Sequence, residues 1–191
     1  MKTLILENST IHGSLAVAEG DSVLWNAEFS KAGELASIVK RVISEAGSPN
    51  EIVVGIGPGS YTGLRVAAAT AIGLSLALRC PILGCPSVLG YDESCYAVVG
   101  DARRGSVFLA HIEQHALLAE PELISLEQFH ELVPKLRAQK LFAIGKIPGC
   151  EDWEVTVPRA EHLARRRSEF RTSFEPLYLK EPHITMRSEI R

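Results

Sequence analysis

The segment Gly55-Ile-Gly-Pro-Gly-Ser-Tyr-Thr-Gly-Leu-Arg65 constrains the fold more than any other part of the chain. It sets a glycine-dense turn between the β-branched run Ile52-Val53-Val54 and a long apolar helical pattern that begins near Gly63. Strand, glycine turn and helix make a unit common in α/β proteins. The glycines let the backbone take positive φ and leave N–H groups free beside the positive end of a helix dipole. That geometry suits a phosphate or carboxylate. It serves equally well as a plain turn, and the residues leave both readings open.

The familiar phosphate motifs do not fit. A Walker A loop needs a lysine, and none occurs between Lys40 and Lys135. A dinucleotide fingerprint would need a third glycine where Ser60 stands, and no Asp or Glu lies between Ile52 and Tyr91. Ser60 and Thr62 have no histidine nearby in sequence to argue for a triad, so they read as caps of the following helix.

Composition adds exclusions. The formal charge is −3, from 20 basic and 23 acidic residues, which makes no global case for avid nucleic-acid binding. The opening Met1-Lys-Thr-Leu-Ile-Leu-Glu7 is not the pattern of a signal peptide. The Val66–Leu78 segment reads as too short and too alanine-rich for a membrane span. Cys80, Cys85, Cys95 and Cys150 show no Cys-x-x-Cys spacing, so reduced, mostly buried thiols in a cytoplasmic protein are expected.

Along the chain, strands are predicted at 2–7, around 14–18 and around 23–29, with Glu19-Gly-Asp21 as a hairpin turn. Leu35, Ile38, Val39, Val42 and Ile43 follow a helical stripe that ends at Gly47 and Pro49. Strand 51–55, the glycine turn, helix 63–78 and a short strand near 82–83 complete a first block. The second block reads as strands 95–100 and 106–113, a helix over 125–137 with Ser125 and Gln128 as a capping box, and strand 140–144. Two related halves are expected, residues 1–95 and a smaller 96–191, with a loose polar tail over the last ten residues.

Helix 63–78 is apolar on nearly every face, whereas a helix lying on one side of a sheet needs only an apolar stripe. Either the domain covers it fully or a partner does. The expected partner face comprises Leu64, Ala67, Ala71, Leu74 and Ser75, joined by Leu35, Val39 and Val42 of the preceding helix.

Three motifs then carry a resemblance. Gly57-Pro-Gly-Ser-Tyr-Thr-Gly-Leu-Arg65, Asp101-Ala-Arg-Arg-Gly105 and Glu175-Pro-Leu-Tyr-Leu-Lys180 are similar, in order and spacing, to the signatures of the bacterial TsaB (YeaZ) family. Its members are partners of TsaD in making N6-threonylcarbamoyladenosine on tRNA. The resemblance implies the actin/Hsp70/sugar-kinase (ASKHA) fold of two related halves, the second abbreviated. It implies a non-catalytic scaffold that activates a TsaD-like subunit, with a TsaE-like ATPase as a further partner and a homodimer when alone. Contact with tRNA would be indirect or weak. No cofactor would be bound tightly by this chain, ATP entering at the level of the complex. A vestigial nucleotide cleft would comprise Glu7, Asn8, Ser9, Gly57, Gly59, Ser60 and Asp101. The rival is a stand-alone ATPase or phosphotransferase of the same fold, with Glu7 and Asp101 as its acids.

The chain departs from the family pattern at Glu7, where an aspartate is usual, and at Lys31-Ala-Gly-Glu34, which lacks a histidine many members carry. TsaD proteins bind a metal through a His-x3-His pair after the second helix, but Gly84–Gly90 contains no histidine. His111 and His115 show that spacing within a strand pattern, which would hold them roughly 13 Å apart. No metal site is therefore expected. Asp101 reads as a turn cap or, with Arg103, as a ligand-orienting pair. Arg159, Arg165, Arg166, Arg167 and Arg171 read as a solvated face pairing with Glu161 and Glu169, or as a contact for tRNA phosphates.

Overall fold

The computed structural model describes residues 1–30, 32–136 and 140–179. The first half begins with strands β1 (Lys2–Glu7), β2 (Gly13–Glu19) and β3 (Ser22–Phe29), followed by helix α1 (Leu35–Ala46). Strand β4 (Glu51–Gly55), helix α2 (Tyr61–Leu78) and strand β5 (Ile82–Cys85) complete it. These strands form one sheet in the order β3-β2-β1-β4-β5. The β1–β2 and β2–β3 pairs are antiparallel, and β1–β4 and β4–β5 are parallel.

The second half repeats the plan. It contains β6 (Tyr96–Asp101), β7 (Ser106–Glu113), β8 (Ala116–Leu117), β9 (Glu122–Ser125), helix α3 (Leu126–Leu132), β10 (Lys140–Ile144) and β11 (Glu154–Val155). Strand β6 pairs antiparallel with β7 and parallel with β10, as β1 does with β2 and β4. The ASKHA architecture is thus present, and the second half is the shorter one. Where the first half has the 18-residue α2 between its parallel strands, the second has an irregular stretch whose Ile147, Cys150 and Trp153 fill that side of the core.

Strands with both faces covered read as continuous apolar runs. In β1, Leu4 and Leu6 face α1 and α2, whereas Ile5 points into an interior shared with the second sheet. That interior joins Ile5, Ala16 and Val53 to Tyr96, Val98, Ile112 and Phe142. The outer face of the second sheet packs on Phe129 of α3.

Two expectations need correction. The α3 region is α-helical only over Leu126–Leu132, then continues as a 3-10 turn to Lys135, because Pro134 has no N–H to extend the helix. Arg137, its expected end, and the polar tail over 182–191 lie outside the described residues. The segment beyond β11 also reaches back to the first half. A one-turn helix, α4 (Ala160–Leu163), returns to the first sheet, where the Ala160 N–H donates to Ser14 Oγ at 2.9 Å. Beyond it, Gly84 and Arg171 exchange two backbone hydrogen bonds of 2.8 Å, and Phe174 and Leu177 pack on the helix side of the first sheet.

The second correction concerns the arginines. Their partners are not Glu161 and Glu169 but residues remote in sequence, because a single helical turn offers no i, i+4 face. Arg159 pairs with Glu28, Arg165 with Asp92, Arg167 with Glu51 and Arg171 with Glu120, while Arg166 donates to the Tyr91 carbonyl. They tie the C-terminal segment to the rest of the molecule.

The Arg167–Glu51 pair is the most enclosed of these ties at its acidic end. The Glu51 side chain is 6% exposed, and its carboxylate also accepts from Thr3 Oγ1 at 2.6 Å. Burial pushes its pKa up, but the hydrogen bonds from Arg167 and Thr3 outweigh that and hold it below the ordinary 4.5. Arg167→Ala should cost about 1–2 kcal/mol in chemical denaturation, by leaving a buried charge half-paired. The lowered pKa means that the contribution is present above pH 4.5 and disappears as pH falls through the folded value.

Candidate functional site

Six of the seven expected cleft residues come together. The glycine turn follows β4, and the β1–β2 turn lies directly against it. The Ser60 N–H donates to the Ser9 carbonyl at 2.6 Å, and Asn8 Nδ2 donates to the Gly63 carbonyl at 3.0 Å. The Gly57 N–H donates to Ser87 Oγ at 3.0 Å. Ser60 caps α2, its hydroxyl accepting from the Gly63 N–H at 3.3 Å, as the sequence predicts.

The glycines therefore have a specific use. A Cβ on Gly59 would lie 2.2 Å from the Ser9 carbonyl oxygen, and one on Gly63 would lie 2.0 Å from that of Asn8. Backbone meets backbone on this side of the turn, and only glycine permits the approach. Gly63→Ala should lower stability by about 3 kcal/mol or prevent folding, since the obstructing atom is main chain. Urea denaturation measures this.

Glu7, at the end of β1, is 1% exposed. Its Oε1 accepts from the Ser9 N–H at 2.6 Å, while Oε2 has no hydrogen-bond partner and rests against Gly55. Burial raises its pKa from 4.5, and the Ser9 and Ser87 hydroxyls and the Ser9 N–H offset this only in part. Asp101 ends β6 just as Glu7 ends β1, but its surroundings are opposite. It is exposed, and its Oδ1 accepts from the Arg103 N–H at 2.7 Å, capping its own turn. It belongs to the second sheet and does not join the six-residue cluster.

The expected partner face is largely corrected. Leu35, Val39 and Val42 of α1 and Leu64, Ala67 and Ala71 of α2 are all buried at 6% exposure or less. Apart from Leu64, which seats against Gly57, they form the core between the helices and the first sheet. Small residues at 67 and 71 let α2 approach its own sheet, not a second helix. Leu74 and Ser75 are half-buried, and Ser75 Oγ donates to the Cys80 carbonyl at 2.6 Å.

The outward face of α2 instead carries Tyr61, Arg65, Ala69, Ile72 and Leu76. Ile72 is 43% and Leu76 78% exposed. At its start, Tyr61 lies 5.2 Å from the Tyr178 ring, and Arg65 covers the Tyr61 ring at 5.1 Å. An open groove of about 400 Å³ runs along Tyr61, Thr62, Arg65, Val66 and Ala69. Helical phase identifies this face only once Leu64 and Ala67 are known to be buried, which the alanine-rich sequence does not reveal. Ser87, the other participant missed, left no sequence signal.

By length and composition alone, α2 is apolar enough to cross a membrane, because it starts at Tyr61, earlier than expected. Its inner face is nevertheless committed to the sheet. His111 lies on β7 with its Nε2 buried and without a hydrogen bond. His115 is beyond the strand, because the chain turns at Gln114 and His115 with φ of 51° and 66°. Among the described residues, no group of three or more His, Cys, Asp or Glu side chains is placed to hold a metal ion.

Comparison with known proteins agrees with this geometry. The family model described as TsaD, tRNA N6-adenosine threonylcarbamoyltransferase, matches residues 30–159. The chain is 24% identical to the tRNA threonylcarbamoyladenosine biosynthesis protein TsaB of Escherichia coli K12, over 85% of this chain and 84% of that protein. Its fold matches YeaZ from Pseudomonas aeruginosa with a TM-score of 0.71 at 22% identity, covering 93% of this chain and 99% of that one. The resemblance carried by the three motifs is therefore upheld across most of the length, and the chain belongs to the TsaD family, on the side of its TsaB (YeaZ) relatives.

Proposed function

We propose that this chain is a non-catalytic subunit that binds and activates a TsaD-like protein in forming N6-threonylcarbamoyladenosine at position 37 of ANN-decoding tRNAs. The observation that carries the proposal is the outward face of α2, where Ala69, Ile72 and Leu76 present apolar surface along a helix already anchored from behind. Burying Ile72 and Leu76 against a partner contributes about 1–3 kcal/mol each. A helix of the partner lying along α2 forms the interface, and the same face closes a homodimer when the partner is absent. A TsaE-like ATPase completes the assembly. The outward residues of α1, including Lys40, Arg41 and Ser44, are polar, which leaves α2 as the principal contact.

Ile72→Asp with Leu76→Asp should abolish co-elution with the cognate TsaD-like subunit in size-exclusion chromatography while leaving the fold intact. Ala67→Asp should instead unfold the chain, because Ala67 is fully buried. Full co-elution of the double variant would remove α2 from the interface.

A stand-alone ATPase or phosphotransferase needs a carboxylate and room for phosphate beside the glycine turn. The enclosure of Glu7 and the backbone closure onto Gly59 and Gly63 stand against that reading. No nucleotide is bound tightly by the isolated chain, and ATP acts at the level of the complex. Isothermal calorimetry with ATP–Mg should therefore show no saturable binding, and micromolar affinity would restore the enzyme reading. The pairing of Arg159, Arg165, Arg167 and Arg171 with acids supports an indirect or weak role toward tRNA, and a cytoplasmic location follows from that substrate.

A further inference from the structure

Among the described residues two acidic side chains are buried, Glu7 and Glu51, and they are treated differently. Glu51 is met by Arg167 and Thr3. Glu7 has no ion pair among the described residues, and its Oε2 lacks even a hydrogen bond. A carboxylate in such a place carries a desolvation cost that the Ser9 N–H and the Ser9 and Ser87 hydroxyls offset only in part. The titratable groups facing it are the Cys85 thiol, at the end of β5, and the Tyr91 phenol. Burial pushes both well above their ordinary values, so both stay neutral and neither supplies a counter-charge.

Glu7 also sits at the head of a mechanical chain. Its Oε1 holds the Ser9 N–H, the Ser9 carbonyl holds the Ser60 N–H, and Ser60 caps α2. The carboxyl rests on Gly55, whose missing Cβ makes the space it fills.

We propose that Glu7 is held as a neutral carboxylic acid and acts as a proton-operated latch: protonated, it seals the β1–β2 turn onto the glycine turn, and loss of its proton opens that junction and loosens the start of α2. The closed junction binds a proton that the open one releases. Its stability is therefore complete below pH 4.5, the ordinary glutamate value, and is lost as pH rises toward the raised value. Over that range the opening constant grows by up to about tenfold per pH unit. His162 runs in the opposite sense, because burial lowers its pKa and its contribution is lost on acidification. The effect of Glu7 must accordingly be read as a difference between the native chain and Glu7→Gln, which keeps the shape and cannot ionise.

Two measurements on the isolated chain decide the matter. Infrared spectroscopy at neutral pH should show a protonated-carboxyl C=O band that moves on labelling with ¹³C-glutamate and is missing from Glu7→Gln. Fully ionised glutamates in the native chain would overturn the proposal, even if the variant failed to fold. Amide exchange at Ser9, Gly57 and Ser60, corrected for base catalysis, should accelerate with pH in the native chain and stay level in Glu7→Gln. Equal pH dependence in the two would also overturn it. The latch bears on docking through α2, yet both readouts are made without a partner and stand or fall whether or not α2 docks.

Discussion

The β1–β2 turn lies backbone to backbone against the glycine turn, and the placement of α2 depends on this contact. A 2.6 Å hydrogen bond from Ser60 to the Ser9 carbonyl locates the cap of the helix, and Asn8 holds the Gly63 carbonyl one turn further on. The approach is possible only because Gly59 and Gly63 have no Cβ to keep the two main chains apart. The Gly57, Ser60 and Gly63 N–H groups of the turn are spent on the protein itself, and the start of the helix is held against the β1–β2 turn.

The two halves show how one plan diverges. Each places an acid at the end of its first strand, Glu7 in β1 and Asp101 in β6. The first is sealed under a neighbouring turn, whereas the second is exposed and caps its own loop. Each carries a parallel strand pair, yet only the first retains a long helix between the strands. Ile147, Cys150 and Trp153 substitute for that helix in the second half, covering the sheet with fewer residues. The segment beyond β11 then crosses back, and its arginines bind acids and a carbonyl of other segments. A basic cluster that reads in sequence as surface charge serves mainly as a clasp.

Much of the fold was legible from local pattern. Strands β4, β7 and β10 have the bounds predicted for them, and the Ser125–Gln128 capping box is present with both of its hydrogen bonds. These signals rest on residues within a few positions of each other. The short strands β8, β9 and β11 and the single turn α4 escaped, because elements of two to four residues carry too little periodicity. The candidate site was half legible. Its glycine turn and the residues of the β1–β2 turn were named, but Ala67 and Ala71, named for a partner face, pack against the first sheet. Alanine-rich helices have weak amphipathicity, so composition alone does not say which stripe meets the sheet.

By itself the sequence determined the order of elements, the two related halves and the family resemblance carried by three motifs, since each depends on local spacing or residue type. Only the tertiary structure decided what the glycine turn is for and which side of α2 is free. Both answers depend on what lies opposite: main-chain atoms of Asn8 and Ser9 in one case, a covered sheet in the other. It also decided the fate of Glu7. A glutamate at a strand end reads the same whether it faces solvent or is enclosed, and the upward push on its pKa follows from that enclosure.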